Sequence, residues 1–98
     1  MELVKKREGN KLLVAVSGRL DTTTAPELEA VVKTELEGIT EFTVDFENLE
    51  YISSAGLRVL LMAEKTMKDN GKFIVKSVND IIMEVFEITK FSEILTIE

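Results

Sequence analysis

Cysteine and histidine are both missing from the chain. Without cysteine there is no disulfide framework and no thiolate to act as nucleophile or ligand. Without histidine the commonest general base and metal ligand are gone, so a Ser-His-Asp hydrolase cannot be assembled within this chain. Positive charge is also scarce, with 12 basic residues against 18 acidic ones and a net charge of -6. That balance argues against nucleic acid or an anionic membrane surface as the main partner. The apolar runs are far too short to span a bilayer. The basic start, Met1 to Arg7, is followed by no apolar stretch of the kind a signal peptide carries. A soluble cytoplasmic protein is expected.

The usual chemical motifs are missing too. Ser17-Gly18 is a lone glycine step and not a phosphate-cradling loop. No metal-ligand spacing occurs. Ser54 lacks the Gly-x-Ser-x-Gly elbow, and neither Ser53 nor Ser54 has a lysine three residues on. The expectation is therefore no enzyme, no cofactor and no metal.

What remains is a foldable chain. Hydrophobic residues make up 45%, and glycine and proline are few, which marks a globular protein and not a disordered one. A length of 98 residues suits one domain over residues 1–98, burying roughly two-thirds of its unfolded surface. Residues 2–7 read as an edge strand blunted by lysines and arginine, and Glu8-Gly9-Asn10 as a turn. Lys11 to Ser17 is apolar on both faces, so it belongs inside a sheet and covered on part of each side; Gly18 then ends it.

Thr24-Ala25-Pro26-Glu27 has capping-box spacing, with proline in the first turn where its missing N–H does no harm. Leu28, Val31, Val32, Leu36 and Ile39 follow at helical spacing, and Gly38 is the stop. Phe42, Val44 and Phe46 share one face of a strand, with Thr43 and Asp45 on the other. Asp45 is either a buried functional acid or, as is commoner at strand ends, solvated or accepting a loop N–H. A second helix puts Val59, Leu60, Met62, Ala63 and Met67 inward, with Arg58, Lys65 and Lys68 outward. The methionines read as core filling, or else as an adaptable binding face. Asp69-Asn70-Gly71 ends this helix.

Lys72 to Val78 is a fourth strand. Asn79 caps a third helix with Ile81, Ile82, Val85, Phe86 and Thr89 at helical spacing. Ile94 to Ile97 is a short last strand or a tail on the core. The order β-β-α-β-α-β-α-(β) implies an α/β fold, a mixed and mainly parallel sheet of 4–5 strands with helices packed on it. In such sheets functional loops gather beyond the carboxyl ends of parallel strands, which could bring the Gly18–Thr24 loop near the Phe46–Ser54 loop.

The second loop is where chemistry concentrates. Ser53 and Ser54 precede the small pair Ala55-Gly56 and then an apolar helical run from Leu57. A helix start carries partial positive charge and free N–H groups and tolerates an anion. On residue chemistry alone Ser54 reads as an N-cap. Six acids and no base lie between Thr34 and Leu57 (Glu35, Glu37, Glu41, Asp45, Glu47, Glu50). They make either a solvated surface or an acidic rim that speeds encounter with a basic partner.

The stretch Asp45-Phe46-Glu47-Asn48-Leu49-Glu50-Tyr51-Ile52-Ser53-Ser54-Ala55-Gly56-Leu57 resembles the signature of the STAS family, the anti-sigma factor antagonists of bacteria. Ser17-Gly18-Arg19-Leu20-Asp21-Thr22-Thr23-Thr24-Ala25 is similar to that family's Gly-x-Leu-Asp loop. The likeness runs over essentially the whole chain. It implies that Ser54 is a phosphoacceptor for an anti-sigma factor that is itself a serine kinase, with a serine phosphatase restoring the hydroxyl. Many members carry aspartate just before the phosphoacceptor; here that place is Ser53.

The resemblance implies a switch by contact loss. Unmodified, Ser53, Ala55, Gly56, Leu57 and Arg58 would meet the kinase beside polar contacts from Asp21, Thr22 and Thr23. Ala55 and Gly56 would let another backbone approach, and Leu57 would offer an apolar contact. Arg58 would pair with the phosphate, or is simply an exposed helix arginine. Two other readings compete: a STAS accessory subunit of a membrane transport or signalling complex, and a helical carrier protein, which the strand patterns at residues 11–17 and 72–78 oppose.

Overall fold

A computed structural model describes all residues from Met1 to Glu98. Six strands form one sheet with three α-helices: β1 (Glu2–Glu8), β2 (Lys11–Leu20), α1 (Ala25–Thr34), β3 (Glu41–Asp45), β4 (Leu49–Ile52), α2 (Ser54–Lys68), β5 (Lys72–Lys76), α3 (Asp80–Ile88) and β6 (Thr96–Ile97), with a 3-10 turn at Phe91–Glu93. The sheet order is β1-β2-β3-β5-β6, and β4 pairs with β2. Only β1–β2 is antiparallel; the other pairs are parallel. This is the expected mixed, mainly parallel α/β architecture, with one strand more than the expected upper count.

The extra strand is β4. It follows β3 after a short turn, closed by the Asp45 carboxylate accepting the Glu47 N–H at 3.0 Å. Asp45 is thus the loop-bonding acid of the blander reading, and Lys76 Nζ stands 4.0 Å from its other oxygen. Strand β2 runs on through Gly18 to Leu20 instead of stopping there. Gly18 takes a φ of +82°, and the register with β4 shifts between Gly18 and Arg19. A positive φ in a strand with a register slip is a bulge, which glycine permits because it has no Cβ. The bulge turns β2 away from β3 and onto β4.

Matched registers align Leu12, Phe42 and Phe73 in one row across β2, β3 and β5, and Val14, Val44 and Val75 in the next. The rings of Phe42 and Phe73 stack at 5.3 Å. This face, with Leu28, Val31 and Val32 of α1 and Leu60, Ala63 and Met67 of α2, forms one cluster of 25 buried residues. At roughly 25 cal/mol per Å² of apolar area removed from water, this cluster is the main stabilising element. The opposite face of β2 is covered only in part. Leu13 and Ala15 are only half-buried there, among paired charges such as Lys11–Glu41 and Lys72–Glu41. The charged ends of the strands solvate that face, while Ile74 at its centre is buried.

Helix α1 stops at Thr34, four residues before Gly38. Leu36 and Ile39 are buried in the chain that follows, not on the helix. Helix α3 buries Ile82 and Phe86 but leaves Ile81 exposed, contrary to the helical-face expectation.

Candidate functional site

The site forms where β2 and β4 end side by side. Arg19 is registered with Tyr51 and Leu20 with Ile52. One step further, the Ser53 N–H donates to the Leu20 carbonyl at 2.9 Å. Two loops far apart in sequence are thereby tied together by backbone, as the loop-gathering argument expected. The tie is a strand pair, not a contact between free loops.

The first loop is self-contained. The Asp21 carboxylate accepts the N–H of Thr23 at 3.0 Å and of Thr24 at 3.1 Å. The Thr24 hydroxyl accepts the Asp21 N–H at 2.9 Å and lies 2.7 Å from the Arg19 carbonyl, to which it donates. So the capping box expected from Thr24 and Glu27 is not made. Thr24 itself has helical backbone angles and no side-chain cap bond; the Ala25 N–H donates to the Asp21 carbonyl at 2.7 Å and the Glu27 N–H to the Thr24 carbonyl at 3.0 Å instead. The Thr24 N–H is the largest influence on the Asp21 carboxyl; burial opposes it, and the Thr23 N–H, the Thr24 hydroxyl and the Arg19 guanidinium add to it, so that the carboxyl is held below the usual range. Asp21 therefore shapes this loop, and Thr22 and Thr23 are its exposed hydroxyls.

At the second loop the two serines separate. Ser53 is extended (ψ 177°) and its Oγ accepts the Gly56 N–H at 3.5 Å. Ser53, not Ser54, is thus the N-cap. Ser54 is the first residue of α2, exposed, and its hydroxyl bonds to nothing in the chain. A hydroxyl freed from capping, at a helix start, is open to chemistry by an outside protein.

Gly56 and Leu57 do not sit on the surface. A Cβ on Gly56 would lie 2.8 Å from Ile52 Cγ1 and 2.9 Å from Leu20 Cγ. The missing side chain lets α2 press onto the ends of β2 and β4, not a partner's backbone onto α2. Leu57 is 8% exposed and belongs to the core, so its apolar contact is internal. Ala55 is half-exposed and Arg58 exposed. Together with Thr22, Pro26, Val59 and Met62 they line a groove of about 130 Å³ between α1 and α2. Arg58 makes no ion pair and stands one turn after Ser54, on the same face.

Sequence reasoning missed Arg19 and Tyr51. The guanidinium lies 4.2 Å from the Tyr51 ring centroid, with Arg19 Nε 3.7 Å from Asp21. Both residues are exposed, so this cation–π contact lies on the surface across the β2–β4 pair. Only the β2–β4 register reveals it, and β4 was not expected. The acidic rim does not form as one patch. Glu35 pairs with Lys5, Glu41 with Lys11 and Lys72, and Asp45 approaches Lys76; Glu47 and Glu50 are the acids left near β4. No cluster of acids is placed to hold a metal ion, and no helix is long and apolar enough to cross a membrane.

Residues 3–96 match the sequence model of a family described as Mlab, STAS domain. The anti-sigma-B factor antagonist of Staphylococcus aureus is 34% identical over 84 residues, 84% of this chain and 78% of that one. Among solved structures, an anti-sigma factor antagonist from Mycobacterium paratuberculosis superposes with a TM-score of 0.86 at 21% identity, over 98% of this chain and 83% of its own. The Bacillus cell fate determinant SpoIIAA, in its phosphorylated form, superposes with a TM-score of 0.78 at 16% identity, over 99% of this chain and 91% of its own.

Proposed function

The chain belongs to the STAS domain family, and we propose that within it the protein is an anti-sigma factor antagonist whose binding is switched by phosphorylation of Ser54. The partner is an anti-sigma factor that is also a serine kinase. It binds the unmodified protein and so frees its sigma factor. The single observation that carries this reading is the division of labour between two neighbouring hydroxyls. Ser53 caps α2, while Ser54 is exposed and unbonded at the first helical position. That SpoIIAA has been solved in unphosphorylated and phosphorylated forms supports the same reading by analogy of fold.

The chain would be the substrate and not the catalyst. Ser54 Oγ attacks the γ-phosphorus of the kinase's ATP, the bond to the bridging oxygen breaks, and ADP leaves. The hydroxyl proton passes to a base on the kinase. The phosphate brings about -1.5 to -2 charges. The first-turn N–H groups of α2 and the unpaired Arg58 can hold it without unfolding the site. Facing a docked partner, the same charge is desolvated or repelled, at a cost of several kcal/mol, and about 1.4 kcal/mol is a factor of ten in affinity. The partner is released without refolding. A serine phosphatase removes the group by hydrolysis and restores binding. Thr22, Thr23, Ala55 and Arg58 form the contact surface around Ser54, with Asp21, Gly56 and Leu57 holding it in shape.

Incubation with the cognate kinase and ATP tests the proposal. The unmodified protein should take up phosphate at Ser54. Ser54→Ala should abolish labelling and keep kinase binding, and Ser54→Asp should weaken binding by tenfold or more. Ser53→Ala should still be labelled. Equal kinase affinity of phosphorylated and bare protein would overturn the switch, and no incorporation by any cognate kinase would favour the accessory-subunit reading.

A further inference from the structure

Helix α3 carries more apolar surface than the core covers. Ile82 and Phe86 are fully buried, yet Ile81 is 67% and Ile88 73% exposed. Seven residues apart, they project within about 20° of one another around the helix axis. Val85, four residues after Ile81, is half-buried and packed against the core, so it joins the pair to the interior. Ile94, just beyond the 3-10 turn, is a further exposed isoleucine. The remaining large exposed hydrophobics, Val4 and Tyr51, lie on other elements, with the Tyr51 ring under Arg19. Only at α3 do such residues form a stripe.

The border of that stripe is of one sign. Asp80, Glu84 and Glu87 are exposed and lie on its outer side, and the helix has no base. None of the three acids makes an ion pair. The contrast is with α1, where Glu29 is paired to Lys33 at 2.9 Å. The surface is also preformed. Asn79 accepts the Ile82 N–H at 2.9 Å and donates to the Leu49 carbonyl at 2.8 Å. At the other end the Thr89 hydroxyl donates to the Val85 carbonyl at 2.7 Å.

We propose that the Ile81–Val85–Ile88 edge of α3 is a second docking surface, which takes a basic amphipathic helix of a partner protein. Its apolar side chains cover the isoleucines, and its lysines or arginines meet Asp80, Glu84 and Glu87. Charge decides against the other occupants. A second copy placed α3 to α3 would set three acids against three acids with no base in either helix. An anionic membrane would be repelled by the same row. This surface works independently of the hydroxyl at Ser54.

The test uses the whole chain, isotope-labelled for NMR, and a synthetic amphipathic helical peptide of leucine and lysine. Its counterpart has leucine and glutamate in the same pattern. The proposal expects amide shifts concentrated over residues 80–90 with the lysine peptide only, and loss of affinity at high salt. The double variant Ile81→Ser, Ile88→Ser, which keeps the charge, should lose about tenfold in affinity. Glu84→Gln with Glu87→Gln should weaken binding and flatten its salt dependence. Val4→Ser should change nothing. Unchanged amide spectra of the free variants verify that these surface positions leave the fold intact. No binding, shifts spread over the acidic surface, or equal binding of the glutamate peptide would overturn the proposal. So would self-association of the chain that disappears in the isoleucine variant.

Discussion

The starts of α2 and α3 share a backbone shape. Ser53 and Asn79 are both extended, with ψ of 177° and 170°, and each side chain accepts an N–H from three residues on. At α3 that bond is 2.9 Å, and the same amide reaches across to the Leu49 carbonyl. At α2 the bond is 3.5 Å, and no other group engages the Ser53 hydroxyl. The start of α3 is therefore held by a side chain. The start of α2 is held by backbone and packing, through the Ser53 N–H on Leu20 and the bare Gly56 against Ile52. With backbone and packing securing most of this helix end and Ser53 taking the long cap bond, the Ser54 hydroxyl is left unbonded.

Substitutions can break this contrast, and the largest effect is expected at Gly56. Gly56→Ala puts a Cβ into Ile52 and Leu20 and should cost about 1–3 kcal/mol by overpacking, read as a lower urea midpoint. It should also slow labelling of Ser54, because α2 must lift. Next comes Asn79→Ala. It removes a cap and leaves the Leu49 carbonyl unpaired, for about 2 kcal/mol in the same unfolding measurement. Ser53→Ala removes only a long bond and should cost about 0.5 kcal/mol, the low end for N-caps. If it cost as much as Asn79→Ala, the contrast drawn here would be wrong.

The start of α1 sharpens the comparison through pH. The Asp21 carboxyl is held below its usual value by the Thr24 N–H first, then by Thr23 and Arg19. A depressed pKa stabilises the fold above the unfolded value, near 4, and that contribution is lost as pH falls through the folded value. Asp21→Asn should therefore flatten the acid limb of stability against pH, with little change in its slope near neutrality. The smallest expected effect on stability is at Ser54. Ser54→Ala should leave unfolding within about 0.5 kcal/mol of the parent, although on the proposed reading it should abolish labelling.

Much of this was legible along the chain. Continuous apolar runs marked the centres of β2 and β5, alternation marked β3, helical spacing marked all three helices, and the hydroxyl pair with Ala55-Gly56 marked the site. β4 was not legible. Leu49 and Ile52 are buried with Glu50 and Tyr51 exposed between them, so its period is neither two nor 3.6. It is a strand because β2 continues past Gly18 to pair with it. The mistaken surface role of Leu57 has a similar origin, since spacing finds an apolar face but cannot tell how far the neighbouring strands cover it. Ile81 errs the other way, apolar by period yet left uncovered.

By its residue order alone this protein was committed to an α/β chain without thiol or imidazole chemistry, and to hydroxyls at the head of its second helix. Those traits depend on composition and on neighbours a few residues apart. The tertiary structure alone assigned the cap to Ser53, left Ser54 unbonded, set Arg19 on Tyr51 and turned Gly56 and Leu57 inward. Each of these depends on β2 meeting β4, a pairing of segments about thirty residues apart whose register is set by a bulge and by packing, which no local pattern encodes.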